Sequence, residues 1–248
     1  MSTDRPLRRL RRQWERNARL DPYWTILTRE GRRHGRWDRE EFFATGRGDV
    51  ERHLDRLKAE GFRVGRGRAL DFGCGLGRLT RPLAETFGSA VGVDLSARMV
   101  DLARELHAGV PGVSFVHNNR PDLGAFASGS FDFVYSLITL QHMPPPLARG
   151  YLAEMIRVCE PGGLVLVQVM TRRRRGGGWW PPSLAKRACR ALNGRLALAP
   201  VIAMFTVPES EAREIAAGAG GELAAVWSEE PVEGNFESRV LVVRPKSP

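Results

Sequence analysis

Short apolar runs alternate with helix patterns along the middle of the chain, and this alternation restricts the fold more than any other feature. Five runs rich in Val, Leu and Phe predict buried strands, and they span residues 67–72, 89–94, 112–117, 131–136 and 163–169. Between these runs, apolar residues recur at helical spacing, which predicts helices within residues 77–88, 96–109 and 147–163. Strands that alternate with helices predict a parallel sheet covered on both faces by right-handed crossovers.

Both ends of the chain differ from this core. Residues 1–62 hold two helix patterns, 6–20 and 49–61, joined by an aromatic-rich link, and they predict a helical cover in front of a main domain at 63–248. Residues 171–207, which follow the fifth strand, form a basic insertion that contains Gly and Pro turns. The chain closes with a helix pattern and two further strands.

The bulk composition of the 248 residues is that of a water-soluble globular protein with one large core. No apolar run approaches the roughly 20 residues of a membrane span, and the charged N-terminus does not resemble a secretory signal. The three cysteines, Cys74, Cys159 and Cys189, form no CxxC pair, and their odd number favours reduced thiols. We therefore expect a cytoplasmic protein, and no motif predicts a metal site.

Positive charge is concentrated in two segments of a chain whose net charge is +10. Residues 1–36 hold eleven arginines against four acids, and residues 161–208 hold seven arginines, one lysine and no acid. If both segments lie over the sheet, they form a positive lid that favours an anionic acceptor. In a second interpretation, Trp179, Trp180 and the basic helix pattern within 176–198 rest on an anionic membrane. A third interpretation is an arginine-rich solvated surface.

The stretch ALDFGCGLGRLT, residues 69–80, follows the first strand and places Gly73, Gly75 and Gly77 in a GxGxG pattern. Glycines at the end of the first strand of a doubly wound sheet let a ligand approach the backbone. Arg78 occupies the place of the last glycine of a dinucleotide fingerprint, and no GK[ST] follows, so NAD, FAD and a P-loop are disfavoured. Asp94 ends the second strand, where a carboxylate can accept both hydroxyls of a ribose.

Together with VGVDLSARMVDLAR, SFDFVYSLITLQHM and RVCEPGGLVLVQ, this stretch makes the chain resemble the class I S-adenosylmethionine-dependent methyltransferases of the small-molecule type. The resemblance covers residues 66–170. It implies an α/β fold with a Rossmann-like, doubly wound sheet of seven strands in the order 3-2-1-4-5-7-6. The last strand is antiparallel, and the N-terminal helices cover the sheet.

The resemblance also implies which residues bind S-adenosylmethionine. Asp94 takes the ribose hydroxyls, and Leu95 lies against the adenine. Asn119 stands where relatives usually carry an adenine-binding Asp, Arg120 supplies a backbone N–H to the ring, and Ser136 lines the floor near the methyl group. The methionine end is held by the acid of the first strand and the loop behind it, Asp71, Gly73, Cys74, Gly75 and Gly77.

The acceptor is expected to be a small molecule, namely a hydroxyl or amine of an anionic, sugar-like or natural-product metabolite. His142, just beyond the fourth strand, is the candidate general base, with a structural role in that loop as the alternative. Tyr23, Trp24 and Phe43 are candidates for an aromatic lining of the substrate site. Nucleic-acid substrates are disfavoured because SLIT replaces the [DN]PP[YF] tetrapeptide, while a lipid-linked substrate and a non-catalytic scaffold stay open.

Overall fold

The computed structural model describes residues 4–173, 202–229 and 236–247. The strands are β1 Arg68–Phe72, β2 Ser89–Asp94, β3 Val113–His117, β4 Phe131–Ser136, β5 Cys159–Arg173, β6 Gly221–Glu229 and β7 Phe236–Pro245. The helices are α1 Asp4–Leu20, α2 Pro22–Ile26, α3 Arg39–Ala59, α4 Thr80–Phe87, α5 Ala97–Leu106, α6 Pro145–Val158 and α7 Glu209–Gly218, and a 3-10 turn spans Leu140–His142.

All seven strands form one sheet in the order β3-β2-β1-β4-β5-β7-β6, which confirms the predicted fold class. Strands β1 to β5 are parallel, and β7 runs antiparallel to both of its neighbours. In the register of the sheet, Phe72 pairs with Val93, and Asp71 pairs with Tyr135. The ends of β1, β2 and β4 therefore lie level, and the strand order reverses at β1, which opens a crevice at this edge.

Each face of the sheet is covered by an apolar layer because neighbouring strand residues point to opposite faces. On one face, Leu70 and Val134 pack in a buried cluster with Met155 of α6 and Leu10 of α1. On the other face, Phe133 and its neighbours pack with residues of α3 and α4. The N-terminal helices thus contribute to both layers of the core.

The helices follow the predicted patterns with two differences: α3 begins earlier, and residues 159–163, predicted as the end of the helix within 147–163, begin β5. Helix α5 begins after Ser96, whose hydroxyl accepts a hydrogen bond from the backbone N–H of Met99 at 3.2 Å. Helix α3 begins at Arg39 rather than near the predicted residue 49. Asp38 caps it by accepting from the backbone N–H of Glu41 at 2.8 Å, and Glu40 and Glu41 suit the positive end of the helix.

The predicted insertion at 171–207 is described only at its two ends. Its first residues belong to β5, where Arg172 pairs with Glu237 of β7. At the other end, Val207 donates its backbone N–H to the carbonyl of Met170 at 2.8 Å. Trp179, Trp180 and the segment 176–198 lie outside the described residues. None of the helices described is long and apolar enough to cross a bilayer.

Candidate active site

The loop after β1 folds back over the end of β2. The backbone N–H groups of Gly73 and Cys74 donate to the carbonyl of Val93 at 2.8 and 3.0 Å, and that of Gly75 donates to Oδ2 of Asp94 at 2.9 Å. Gly73, Gly75 and Gly77 have φ angles of 80°, 51° and 78°, in the left-handed region that favours glycine. The loop therefore depends on all three glycines for its path.

The three glycines of the pattern serve different purposes. A Cβ at Gly73 would lie 2.2 Å from Cγ2 of Thr139, and one at Gly75 would lie 2.5 Å from Cδ1 of Ile26. Both glycines line the cavity in the crevice at the ends of β1, β2 and β4, which is called the main cavity below. Gly77 does not line it, and a Cβ there would meet Nε2 of His107 at 2.7 Å. Gly77 thus permits packing beneath the loop rather than the approach of a ligand.

Asp94 presents a carboxylate to the same cavity. Its Oδ1 accepts from the backbone N–H of Ser96 at 2.8 Å, and its Oδ2 accepts from Gly75. Burial raises the pKa of this carboxyl group, while the hydrogen bonds from Ser96 and Gly75 lower it. Each oxygen keeps the capacity for a further hydrogen bond, so the group can accept from two neighbouring hydroxyls.

The main cavity has an empty volume of about 810 Å³ including its mouth. Its inner part is formed by the glycine loop and the ends of β2 and β4. The N-terminal helices supply an apolar wall through Leu10, Trp14 and Ile26, and Met143 adds to it. The polar lining residues are few: Arg78, Asp94, Asn118, Thr139 and Tyr151. Such a lining is mostly apolar and has a few polar groups, as small-molecule sites commonly have.

Asp71 lies beneath the loop and does not line the cavity. Its Oδ2 accepts from Oγ1 of Thr80 at 2.6 Å, while its buried Oδ1 has no hydrogen-bond partner among the described residues. Burial raises the pKa of Asp71 to about 7, and the hydrogen bond from Thr80 opposes this shift. A positively charged ligand bound above the loop would favour the ionised form of this incompletely paired carboxyl group.

The segment after β4 carries a strained residue at the cavity. Ile138 has a φ of 56°, which is unfavourable for a β-branched residue. Its backbone N–H donates to Oε1 of Gln168 at 2.9 Å, and Nε2 of Gln168 donates to Oγ of Ser238 at 2.9 Å. Strands β5 and β7 thus hold Ile138 in place, and no local sequence signal indicates this.

Ser136, expected on the cavity floor, is fully buried and lies outside the lining. Its hydroxyl donates to the carbonyl of Phe72 at 2.9 Å, so it links the ends of β4 and β1. The floor is formed instead by the next three residues, Leu137, Ile138 and Thr139.

After β3, the residue that lines the cavity is one position earlier in the chain than expected. Asn119 is exposed, whereas Asn118 is buried and lines the cavity. The strand ends at His117, so Asn118 is the first residue beyond it. Nδ2 of Asn118 donates to the carbonyl of Asp122 at 2.8 Å, and Oδ1 accepts the backbone N–H of Arg120 at 3.2 Å. That N–H, expected to contact the adenine, is therefore already bonded.

His142 does not line the main cavity but a smaller one beside it, which contains Gln141, Ile202 and Met204. Its Nδ1 lies 2.8 Å from the carbonyl oxygen of Ala203, so Nδ1 carries the proton and donates. Burial lowers the pKa of His142 to about 4, so the ring is neutral near pH 7. The imidazole therefore connects the 3-10 turn to the segment 202–207.

The aromatic residues expected at the substrate site form a separate cluster. Tyr23 and Phe43 pack edge-on against Phe42, with ring centroids 4.9 and 5.4 Å apart, and Trp24 belongs to the same cluster. Trp14 and Tyr151 line the cavity in their place. Both lie on helix faces whose sequence pattern indicates packing against a core. Only the position of each helix in the structure shows that they line the cavity.

Arg78 joins the glycine loop to α3. Its guanidinium is 3% exposed, and Nη1 lies 2.6 Å from Oδ2 of Asp49 and 3.2 Å from Oγ1 of Thr45. Gly46 lies on the same turn, and a Cβ there would come within 2.1 Å of the carbonyl oxygen of Arg78. The two segments are therefore in direct backbone contact.

Within the described ranges, no three His, Cys, Asp or Glu side chains are grouped so that they could hold a metal ion. The thiol of Cys74 is buried under the loop, and burial raises its pKa well above the ordinary value. Cys74 therefore has no thiolate character near pH 7.

Comparison with known proteins finds similarity to methyltransferases. A family model described as "Methyltransferase domain" matches residues 69–163. A ubiquinone biosynthesis O-methyltransferase of Cereibacter sphaeroides is 35% identical over 106 residues, which are 42% of each chain. A demethylmenaquinone methyltransferase of Staphylococcus aureus is 36% identical over 113 residues, 44% of this chain and 45% of that one. The match thus spans less than half the length of these curated relatives.

Solved structures resemble the chain over more of its length. The magnesium protoporphyrin IX methyltransferase of Synechocystis, crystallised with bound SAH, superimposes with a TM-score of 0.57 at 21% identity. The superposition covers 87% of this chain and 91% of that one. At this identity the likeness concerns the fold, and the fold is that of the class I methyltransferases.

Proposed function

We propose that the protein is an S-adenosylmethionine-dependent methyltransferase of small molecules, because a methyltransferase-domain model matches residues 69–163 and the seven strands have the order of that fold. The observation that carries this proposal is Asp94. Asp94 lines the cavity, each of its two oxygens accepts one backbone N–H, and each can accept one more hydrogen bond. Two adjacent hydroxyls of a ribose suit such a carboxylate.

The other residues around Asp94 also fit this cofactor. The bare backbone at Gly73 and Gly75 accommodates the methionine portion, with Asp71 below it to favour a positive charge. Leu95 supplies an apolar surface for the adenine. Asn118, rather than Asn119, is the residue we assign to the adenine edge, because Oδ1 of an amide can accept a second hydrogen bond.

S-adenosylmethionine supplies a methyl group on a positively charged sulfur. The contribution of this chain is to hold an acceptor atom in line with that group and to exclude water, which accounts for most of the catalysis such a transfer needs. Leu10, Trp14, Ile26 and Ile138 form the dry wall that does so. No described residue in the lining is a free histidine or lysine that could take a proton.

We propose that the acceptor is an apolar, ring-shaped molecule rather than an anionic one. Among the described residues that line the cavity, Arg78 is the one with a basic side chain, and its Nη1 is already paired with Asp49. The wall opposite is apolar and includes an indole, which suits a flat ring. The curated relatives are named for ubiquinone biosynthesis and for demethylmenaquinone, which is consistent with an acceptor of this class.

Binding of S-adenosylmethionine, measured by calorimetry, tests the assignment of Asp94. We expect Asp94→Ala to weaken binding by about 2 to 4 kcal/mol because two charge-assisted hydrogen bonds are lost. Asp94→Asn keeps the side-chain volume and one acceptor oxygen, so we expect a smaller loss, with its amide nitrogen facing the backbone N–H of Gly75 or Ser96. Circular dichroism checks that both variants are folded. The control is Asp101→Ala, which removes a surface carboxylate paired with Arg104 and is expected to leave binding unchanged.

Unchanged affinity in both folded Asp94 variants would remove this residue from the cofactor site. A panel of phenols and hydroquinones then tests the reaction itself, with the demethylated cofactor product as the readout. A protein that binds the cofactor but consumes it with no acceptor, apolar or anionic, would support the scaffold interpretation instead.

A further inference from the structure

Helix α1 has two opposite faces of different chemistry. Six of its seven arginines recur at spacings of three and four, at positions 5, 8, 9, 12, 16 and 19, while the half-buried Arg11 lies outside this set. At about 100° per residue these positions fall within an arc of about 100°. Leu7, Leu10, Trp14 and Ala18 occupy the opposite side, where they are buried or line the main cavity. We call the exposed arginines Arg5, Arg8, Arg9, Arg12 and Arg19 the arginine stripe.

The arginine stripe is not neutralised by the described part of the chain. None of its five members forms an ion pair with a described residue, and the hydrogen bond found is from Nε of Arg12 to the carbonyl of Arg8. Glu15, an acid of the same helix, is turned to the backbone N–H of Ala97. Two exposed arginines on other helices differ in this respect, since Arg81 and Arg104 each pair with an acid within one turn.

We propose that the arginine stripe binds the anionic surface of a lipid bilayer. A cluster of four to eight basic residues on one helix face is the pattern that attracts anionic headgroups. The proposal rests on the proposed function, because an apolar ring acceptor concentrates in a membrane. A single helix then carries both contacts: its outer face meets the headgroups while Leu10 and Trp14 on its inner face line the cavity.

Two further observations favour a bilayer over a nucleic acid as the partner. Leu20, at the end of the helix beside Arg19, is 40% exposed and is the large apolar side chain most open to solvent among the described residues. No large aromatic side chain is exposed in the described residues, so bases would find no surface on which to stack. On the described surface, a nucleic acid would therefore be held through its phosphates.

Sedimentation of the full chain with lipid vesicles tests the proposal. We expect binding to vesicles that contain phosphatidylglycerol, little binding to pure phosphatidylcholine, and release at high salt. Replacing Arg8, Arg9 and Arg12 together by Gln is expected to reduce binding to the anionic vesicles by at least about 30-fold. Glutamine keeps the helix propensity, so the fold is expected to persist.

The matched control replaces Arg63, Arg66 and Arg244 by Gln. These arginines are also exposed, and they lie at the opposite edge of the sheet, before β1 and at the end of β7. The control removes the same charge and is expected to change vesicle binding by less than about 3-fold. Equal losses in the two triple variants, full binding by the α1 variant, or no binding by the unmodified protein would each overturn the proposal.

Two measurements separate this proposal from the proposed function. Affinity for S-adenosylmethionine in solution is expected to be unchanged in the α1 triple variant, because the stripe faces away from the cavity. Asp94→Asn is expected to bind anionic vesicles as the unmodified protein does. A duplex oligonucleotide that displaces the protein from the vesicles, and binds it more tightly than they do, would identify a nucleic acid as the partner and reject the bilayer.

Discussion

His142 shows at the scale of one residue how burial changes the role that a sequence suggests. The notable features are its bond to Ala203 and the lowering of its pKa to about 4. His142→Asn keeps a donor at the place of Nδ1, whereas His142→Ala removes it. If the ring fixes the 202–207 segment, the Asn variant is expected to retain most turnover and the Ala variant to lose stability. A general base predicts instead a loss of about 10² to 10⁴ in turnover for both.

The same residue gives a pH dependence whose sign is fixed. Because the pKa in the folded protein lies below the ordinary 6.5, His142 contributes stability that is present above pH 6.5 and is lost as the pH falls towards 4. The shift corresponds to roughly 3 kcal/mol at most. We expect urea unfolding at a series of pH values to show a smaller acid loss for His142→Asn than for the unmodified protein. Parallel curves would contradict the buried, neutral ring.

What the sequence could predict about the site depended on the type of residue. Gly73, Gly75, Asp94 and Leu95 line the cavity as expected, since a loop at a strand end has few alternative paths. Asn118 was missed by one position, because where β3 ends depends on its pairing with β2. Trp14 and Tyr151 gave no signal, because a cavity wall built by a packed helix has the same pattern as a core.

At the scale of elements, the contact between α3 and the glycine loop is the one most sensitive to the addition of a single methyl group. Gly46→Ala would place a methyl group 2.1 Å from the carbonyl oxygen of Arg78, which is backbone and cannot move aside. We expect α3 to shift, with a loss of about 1 to 3 kcal/mol in stability and a weaker affinity for S-adenosylmethionine. Thermal unfolding and calorimetry measure the two effects.

Gly48 provides the control on the same helix. A Cβ at Gly48 has no atom within 4 Å, so Gly48→Ala is expected to stabilise the protein by up to about 1 kcal/mol through helix propensity alone. If both variants gain stability, α3 and the loop are not in the close contact described, and the bond between Arg78 and Asp49 carries no positional role.

Element boundaries show why the sheet was easier to predict than the cover. Strands β1 to β4 begin and end close to the apolar runs, because buried parallel strands show their burial directly in sequence, whereas β5 extends four residues beyond its predicted range of 163–169 at each end. Helix α3 begins ten residues earlier than its apolar pattern, at Arg39 instead of 49, because its first turns pack on other cover residues, as the buried Phe42 does against Trp37. A helix that packs against two different partners has a mixed apolar pattern, so the sequence did not indicate where α3 begins.

For the whole molecule, the division into a cover at 1–62 and a main domain at 63–248 stays a prediction, and the core suggests how to test it. Leu57 of α3 is fully buried in the same cluster as Phe133 of β4 and Trp227 of β6. Leu57→Ala is expected to cost about 2 to 5 kcal/mol through the cavity it leaves. Because that cluster joins cover and sheet, the loss should affect the entire protein.

Far-UV circular dichroism and tryptophan fluorescence should then report one shared urea midpoint, lowered in the Leu57→Ala variant. Leu20→Ala, at an exposed position, is expected to change the midpoint little. Two separate midpoints, with only the earlier one moved by Leu57→Ala, would instead establish residues 1–62 as a unit that unfolds independently of the sheet.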